Sequence, residues 1–245
     1  MKVANCINHI AIIPDGNRRW ARKKGIFSEL SIYEKGAANF NTITTHLFEL
    51  GIQNVTFWIS SITNLCDRSA NLVKATNKLY AKKFNELLND PSLMENEIKV
   101  KVYGRWREML DDNTARIVEK IIQKTSDNKK ATLTLLVAYD GKVERGEAVL
   151  SLLNDQKLNR SMAIKDAMEA EGLLRSYAWT GNLPEVDLII RTGSFKDPHN
   201  SADFLSFLTG NTQFVFPEIY WPDFNLAFLQ ESLNDFLNRE RRKGK

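Results

Sequence analysis

The chain has 245 residues, 43% of them hydrophobic, and a net charge of +4 from 34 basic and 30 acidic side chains. That makes a globular chain of one α/β domain or two small ones. No apolar run approaches the roughly 18 residues of a membrane span, and MKVANCINH at the N-terminus lacks the apolar stretch of a secretory signal. Cys6 and Cys66, with the scattered His9, His46 and His199, form no metal-ligand spacing, so a reducing cytoplasm is expected and a zinc site is not. The mild positive balance suits anionic ligands without choosing between them, and its basic side chains concentrate at 18–24 and 239–245.

In chain order, a strand is predicted at 7–13 and stops at Pro14. Asp15-Gly16-Asn17 then turns the chain, and Arg18, Arg19, Trp20, Arg22, Lys23 and Lys24 open a helix. A carboxylate, a glycine and stacked cations after a strand suit a site for a metal-bound polyphosphate, held by free N–H groups and bidentate arginine. The same residues also read as an ordinary turn before a solvated basic helix. A helix is predicted at 37–50, then a strand at 54–60 that runs into Ser60, Ser61, Asn64 and Arg68. The next helix, 69–89, repeats Leu72, Val73, Leu79, Tyr80, Phe84, Leu87 and Leu88 at helical spacing. Strands follow at 98–103, 132–138, 186–191 and 213–216, with helices at 111–126, 143–154, 162–176 and 224–239.

The polar gaps near 89–97 and 154–161 are short enough to be loops, so residues 1–245 are expected to form a single domain. Strand–helix alternation predicts an α/β fold with a mainly parallel central sheet of about six strands surrounded by helices. Ligands bind such sheets beyond the carboxyl ends of the strands. That places Asp15-Gly16-Asn17, Ser60-Ser61, Tyr139 and Arg191-Thr192-Gly193 on one rim, where cations, hydroxyls and glycines cluster after successive strands.

These residues resemble the cis-prenyltransferases, the family of undecaprenyl diphosphate synthase. Its histidine followed by D-G-N-x-R-W-A is matched by His9, Asp15-Gly16-Asn17, Arg19, Trp20 and Ala21. Tyr139 to Glu144 is a softened Y-G-G-R-x-E, Asp187 to Gly193 reads D-L-x-I-R-T-G, and Trp221 to Phe224 reads W-P-D-F before a basic tail from Arg239 to Gly244. The resemblance implies joining isopentenyl diphosphate to an allylic diphosphate (dimethylallyl, geranyl or farnesyl), with Mg²⁺ assisting diphosphate departure. It implies Asp15 and Asn17 as catalytic residues, Asp15 also binding the metal. Gly16, Arg18, Arg19, Trp20, Arg22, Ser61, Asn64, Arg68, Arg191, Thr192, Gly193 and Ser201 would bind substrate, Arg191 taking the isopentenyl diphosphate. It further implies a homodimer, with the arginine-rich tail either reaching the neighbouring site or fraying in solvent. No nucleic-acid partner is expected; a basic binder of nucleic acid is the competing class, and a steep salt-dependent gel shift would reveal it.

The chain departs from the family pattern at several points. Where the family has an arginine and then G-H-x-x-G, Glu29 and Tyr33 stand near the arginine and histidine and only Gly36 survives. Leu65 replaces an aromatic residue, the 194–201 loop is longer and lacks an arginine, and a metal-binding glutamate of the family falls on Gln213. Phe57, Ile59 and Leu135 would line the product tunnel. Bulk at Phe57, Trp58 and Ile59 either stops chain growth early or is plain core packing. A short product is the expectation. Irregular coupling of two dimethylallyl diphosphates, as in lavandulyl-type synthases, and a non-catalytic partner subunit remain alternatives.

Overall fold

A computed structural model describes residues 3–66, 70–156 and 164–240. The first strand, β1 (His9–Ile13), is buried along its whole length. It leads through α1 (Asn17–Lys23) and α2 (Glu29–Glu49) to β2 (Asn54–Trp58). Then come α3 (Ile62–Cys66), α4 (Ala70–Leu88), α5 (Ser92–Glu95) and β3 (Ile98–Tyr103). The middle of the chain supplies α6 (Trp106–Met109), α7 (Asp112–Lys124), β4 (Ala131–Leu136) and α8 (Gly141–Asn154). The last part holds α9 (Ala167–Ser176), β5 (Leu188–Arg191), β6 (Gln213–Val215) and α10 (Leu226–Asn238).

The six strands form one sheet in the order β3-β4-β2-β1-β5-β6, and every pairing is parallel. The predicted α/β class, single parallel sheet and helical cover are all present. Strand alternation splits the core in two. Ile10, Ile12, Val55, Phe57, Leu133 and Leu135 face a layer with Ile43, Leu47, Val118, Ile121 and Leu233. Ala11, Ile13, Leu136 and Ile189 face the other way, onto Leu183, Phe204, Leu205 and Leu208. β1 is the point where the winding reverses, with β2 on one side and β5 on the other. The crevice beyond β1, β2 and β5 is therefore the place for a ligand.

The elements differ from expectation mainly at their ends. α2 starts at Glu29 rather than 37, because the Ser28 hydroxyl caps it by accepting from the Ser31 N–H. The expected loop at 89–97 contains α5, and the short α3 and α6 follow strands where loops were expected. β2 stops at Trp58, two residues early, where Ile59 and Ser60 turn to donate to the Leu136 carbonyl.

Candidate active site

Pro14 cannot donate to a ladder and ends β1, so Asp15 leaves the sheet at its carboxyl edge. The Asp15 carbonyl accepts from the Thr192 hydroxyl at 2.8 Å and from the Trp221 N–H at 3.1 Å. Gly193 (φ +72°) lies so close that a Cβ there would sit 2.9 Å from the Asp15 carbonyl. Gly16 (φ +97°) carries the chain into α1. The Asp15 side chain, about a third exposed, accepts from Arg191 Nη2 at 3.1 Å and pairs with Arg19 Nη2 at 3.2 Å.

Arg191 ends β5 and is only 8% exposed. Its Nη1 donates to the His199 carbonyl at 2.8 Å and the Ser201 hydroxyl at 2.6 Å, while its buried Nε has no partner among the described residues. Arg191 borders the cavity as a nearly buried guanidinium, the kind of group that holds a phosphate through short, fixed bonds once its own carboxylate partner is taken up.

Arg18, Arg19 and Arg22 stand exposed on α1 and face a cavity of about 810 Å³ together with Asp15, Gly16 and Asn17. Tyr220 lies under Arg19 and Lys23, with its ring centroid 5.6 Å and 4.9 Å from the two cations. Asn17 donates to the Pro14 carbonyl at 2.9 Å, and its buried Oδ1 has no partner among the described residues. Ser61 and Asn64 line the same cavity and cap α3 reciprocally: Asn64 Oδ1 accepts from the Ser61 N–H, and the Ser61 hydroxyl accepts from the Asn64 N–H. Ser201 also borders it.

Away from this charged head the cavity is an apolar trough. Phe40, Phe57, Ile59, Leu79, Phe84 and Leu135 line it, and Lys83, Glu86 and Asp90 lie along the α4 side. Phe57 stands edge-on between Phe40, 4.7 Å away, and Trp221, 5.9 Å away. The expected tunnel residues Phe57, Ile59 and Leu135 thus meet here, joined by Leu79 and Phe84 of α4, noted in the sequence only for their helical spacing, and by Phe40 of α2, which the sequence did not single out.

Other expected positions fall elsewhere. Tyr139, placed on the rim by its position after β4, is fully buried and bonded to Glu144, because the sheet rim is covered there by residues 202–205. Thr192 and Gly193 shape the Asp15 backbone and do not line the cavity. Trp20 turns away from it and packs with Ala21 and Ile32. Gln213 opens β6 at the opposite end of the sheet and accepts from Arg239. Arg68 and the tail from Arg241 onward lie outside the described residues, as do the side chains of Glu29 and Tyr33. His9, the histidine of the N-terminal motif, is also at the far end. Buried between the Pro184 carbonyl and the Thr56 hydroxyl, it has its pKa lowered to about 4 by desolvation.

One carboxylate opening onto a cationic cavity suits Mg²⁺ that arrives with substrate phosphates, since that ion needs only one or two protein carboxylates. Among the described residues no cluster of three or more His, Cys, Asp or Glu could cage a metal.

Residues 13–244 match the family described as "Putative undecaprenyl diphosphate synthase". A tritrans,polycis-undecaprenyl-diphosphate synthase (geranylgeranyl-diphosphate specific) of Pyrococcus furiosus is 32% identical over 243 residues, covering 97% of this chain and 86% of the relative. An isoprenyl transferase of Chlorobaculum tepidum is 30% identical over 244 residues, covering 99% and 88%. In fold, the chain is similar to lavandulyl diphosphate synthase from Lavandula x intermedia, solved with dimethylallyl diphosphate: the TM-score is 0.87 at 24% identity, with full coverage of both chains.

Proposed function

The chain belongs to the undecaprenyl diphosphate synthase family and is a prenyltransferase, and from that premise we propose that it joins an allylic diphosphate to isopentenyl diphosphate to give a short-chain prenyl diphosphate. One observation carries the reading: a charged head holding Asp15 and Arg191 opens directly into an aromatic-lined trough of limited size. At about 810 Å³ the whole cavity lies in the range of ordinary small-molecule pockets, roughly 300–1,000 Å³. Phe57, set edge-on between Phe40 and Trp221, narrows the trough and favours a product shorter than the undecaprenyl chain named for the Pyrococcus relative.

In the proposed reaction, the allylic C–O bond breaks and its electron pair leaves with diphosphate. The isopentenyl double bond attacks the allylic carbon, and a proton is lost to the departing diphosphate. Arg18, Arg19 and Arg22, with the N–H groups opening α1, bind the allylic diphosphate and stabilise its departure. Arg191, backed by Ser201, holds the isopentenyl diphosphate. Asn17 Oδ1, buried and without a partner among the described residues, offers an acceptor beside the reacting carbons. Before substrate binds, Asp15 is neutralised by Arg19 and Arg191; phosphate oxygens compete for those guanidinium groups and leave the carboxylate for Mg²⁺. Asp15 and the substrate phosphates would hold Mg²⁺, which would supply positive charge to the leaving group.

A homodimer and a cytoplasmic setting belong to this reading. The exposed Val149, Leu150 and Leu153 on α8 offer an apolar row for a second copy, and no described helix is long and apolar enough to cross a membrane. A second reading, coupling of two dimethylallyl diphosphates, is favoured by the 194–201 loop, which meets the second diphosphate with no arginine of its own. One experiment separates the readings. The protein is incubated with Mg²⁺ and dimethylallyl, geranyl or farnesyl diphosphate, each with and without isopentenyl diphosphate, and dephosphorylated products are read by mass spectrometry. Short products that require isopentenyl diphosphate are expected. Product from dimethylallyl diphosphate alone selects irregular coupling, and no product from any pair refutes both, leaving the partner-subunit alternative.

A further inference from the structure

Glu144, on the first turn of α8, is a fully buried carboxylate for which the proposed reaction has no use. Its Oε1 accepts from both the N–H and the hydroxyl of Thr180 at 2.7 Å, and its Oε2 accepts from the Tyr139 hydroxyl at 2.5 Å. The Tyr139 oxygen in turn accepts the Leu205 N–H at 3.1 Å, so its single proton is committed to Glu144. Burial and the neighbouring carboxylate raise the Tyr139 pKa and keep that proton in place.

Leu205 closes a turn whose backbone is costly. Ala202, Asp203 and Leu205 have φ of 48°, 47° and 52°, a left-handed region that side-chain-bearing residues rarely occupy. Such a conformation persists only where surrounding contacts impose it, and it clusters at functional sites. Besides the Asn200 amide on the Phe204 carbonyl and the Trp58 ring against Phe204, the turn is held by three polar contacts from the segment after β4. Tyr139 takes the Leu205 N–H, the Gly141 N–H donates to the Ala202 carbonyl at 2.8 Å, and Arg145 pairs with Asp203. The turn is preceded by Ser201 and His199, the two groups that hold Arg191 Nη1.

We propose that Tyr139 and Glu144 are positioning residues: by fixing the 202–205 turn they hold Ser201 and the His199 carbonyl where they aim the Arg191 guanidinium at a diphosphate. This rests on the reading of Arg191 as the ligand of the second, non-ionising diphosphate. It assigns a role in substrate affinity to a buried pair that touches no substrate.

The test uses the full chain. Binding of isopentenyl diphosphate is measured by titration calorimetry for wild type, Tyr139→Phe, Ser201→Ala, their combination and Arg191→Ala. Thermal melts and KM values for both substrates accompany it. Tyr139→Phe orphans the Leu205 N–H, and we expect about tenfold weaker isopentenyl diphosphate binding with the allylic KM unchanged. The combined variant should bind no worse than about the weaker single one, because both act through one guanidinium. Unchanged binding in Tyr139→Phe, parallel loss for both substrates, or losses that multiply would overturn the positioning role. If Tyr139→Phe melts below the assay temperature, Glu144→Gln replaces it, since its NH₂ must face a donor at Thr180 or Tyr139 and break the same chain. Wild type that binds no isopentenyl diphosphate, or Arg191→Ala that binds it normally, refutes the reading of Arg191, and the positioning role falls with it.

Discussion

The two ends of the cavity are built on different principles. The charged head is assembled from Asp15, Arg191, Ser201 and Trp221, distant in sequence and joined by directional bonds of 2.6 to 3.1 Å. The trough is walled by Phe40, Phe57, Phe84 and Leu135, which meet by packing alone. Hydrogen-bonded networks depend on the identity of each member, whereas apolar walls depend on volume. Substitutions in the head should therefore change rates and affinities, and substitutions in the trough should change which product forms.

The largest effect is expected at Asp15. Asp15→Ala removes the carboxylate that pairs with Arg19 and Arg191 and that is proposed to hold the metal; turnover should fall by about 10²–10³ with the fold intact. Single-turnover product formation measures it, and near-normal turnover would show that the head is not the reacting end. Chelation with EDTA should abolish the activity of wild type, and added Mg²⁺ should restore it.

Next in size is a control at the far end of the sheet. His9 has a folded pKa near 4 against an ordinary 6.5, so the unfolded chain binds more protons than the folded one between these values. Stability contributed by neutral His9 is complete above pH 6.5 and lost as pH falls towards 4, by about 3 kcal/mol in all. Denaturant midpoints across that range should show the loss in wild type and less of it in His9→Gln, with little change in isopentenyl diphosphate affinity in either at pH 7.5. A His9→Gln protein that is equally acid-sensitive would place the titration elsewhere.

In the trough, Phe57→Leu should cost under about 1.5 kcal/mol and lengthen the product by one or more isoprene units, since it opens space between Phe40 and Trp221. Mass spectrometry of the product ladder decides it. An unchanged product with a lower rate would mean that Phe57 is core packing and does not set product length.

The contrast also explains what could be read from the chain. The parallel sheet follows from strand–helix alternation, and the winding reversal at β1 brings Asp15, Ser61 and Arg191 together as the strand-end rule requires. Tyr139 obeys the same rule and is still buried, because the 202–205 turn that covers it depends on left-handed backbone at Ala202, Asp203 and Leu205, for which those residue types give no signal. Leu79, Tyr80 and Phe84 carry helical spacing, but spacing cannot distinguish a helix face that meets the core from one that walls a cavity. A metal-binding glutamate of the family falls on Gln213, but position along the chain does not reveal which end of the sheet a residue occupies.

The smallest expected effect compares two arginines of the head. Arg22 is exposed on α1, whereas Arg191 is held at both Nη atoms and nearly buried. A solvated cation attracts phosphate weakly and is screened beyond roughly 8–10 Å at physiological salt; a buried one is screened far less. Arg22→Ala should thus raise the allylic KM only about two- to fivefold in low salt, and the difference should fade by 0.5 M NaCl. The Arg191→Ala defect should survive that salt concentration, because the Arg191 guanidinium acts through fixed short bonds. If both defects vanish together in salt, the second diphosphate site is no more than a general electrostatic surface, and the distinction between an identity-dependent head and a volume-dependent trough loses its strongest member.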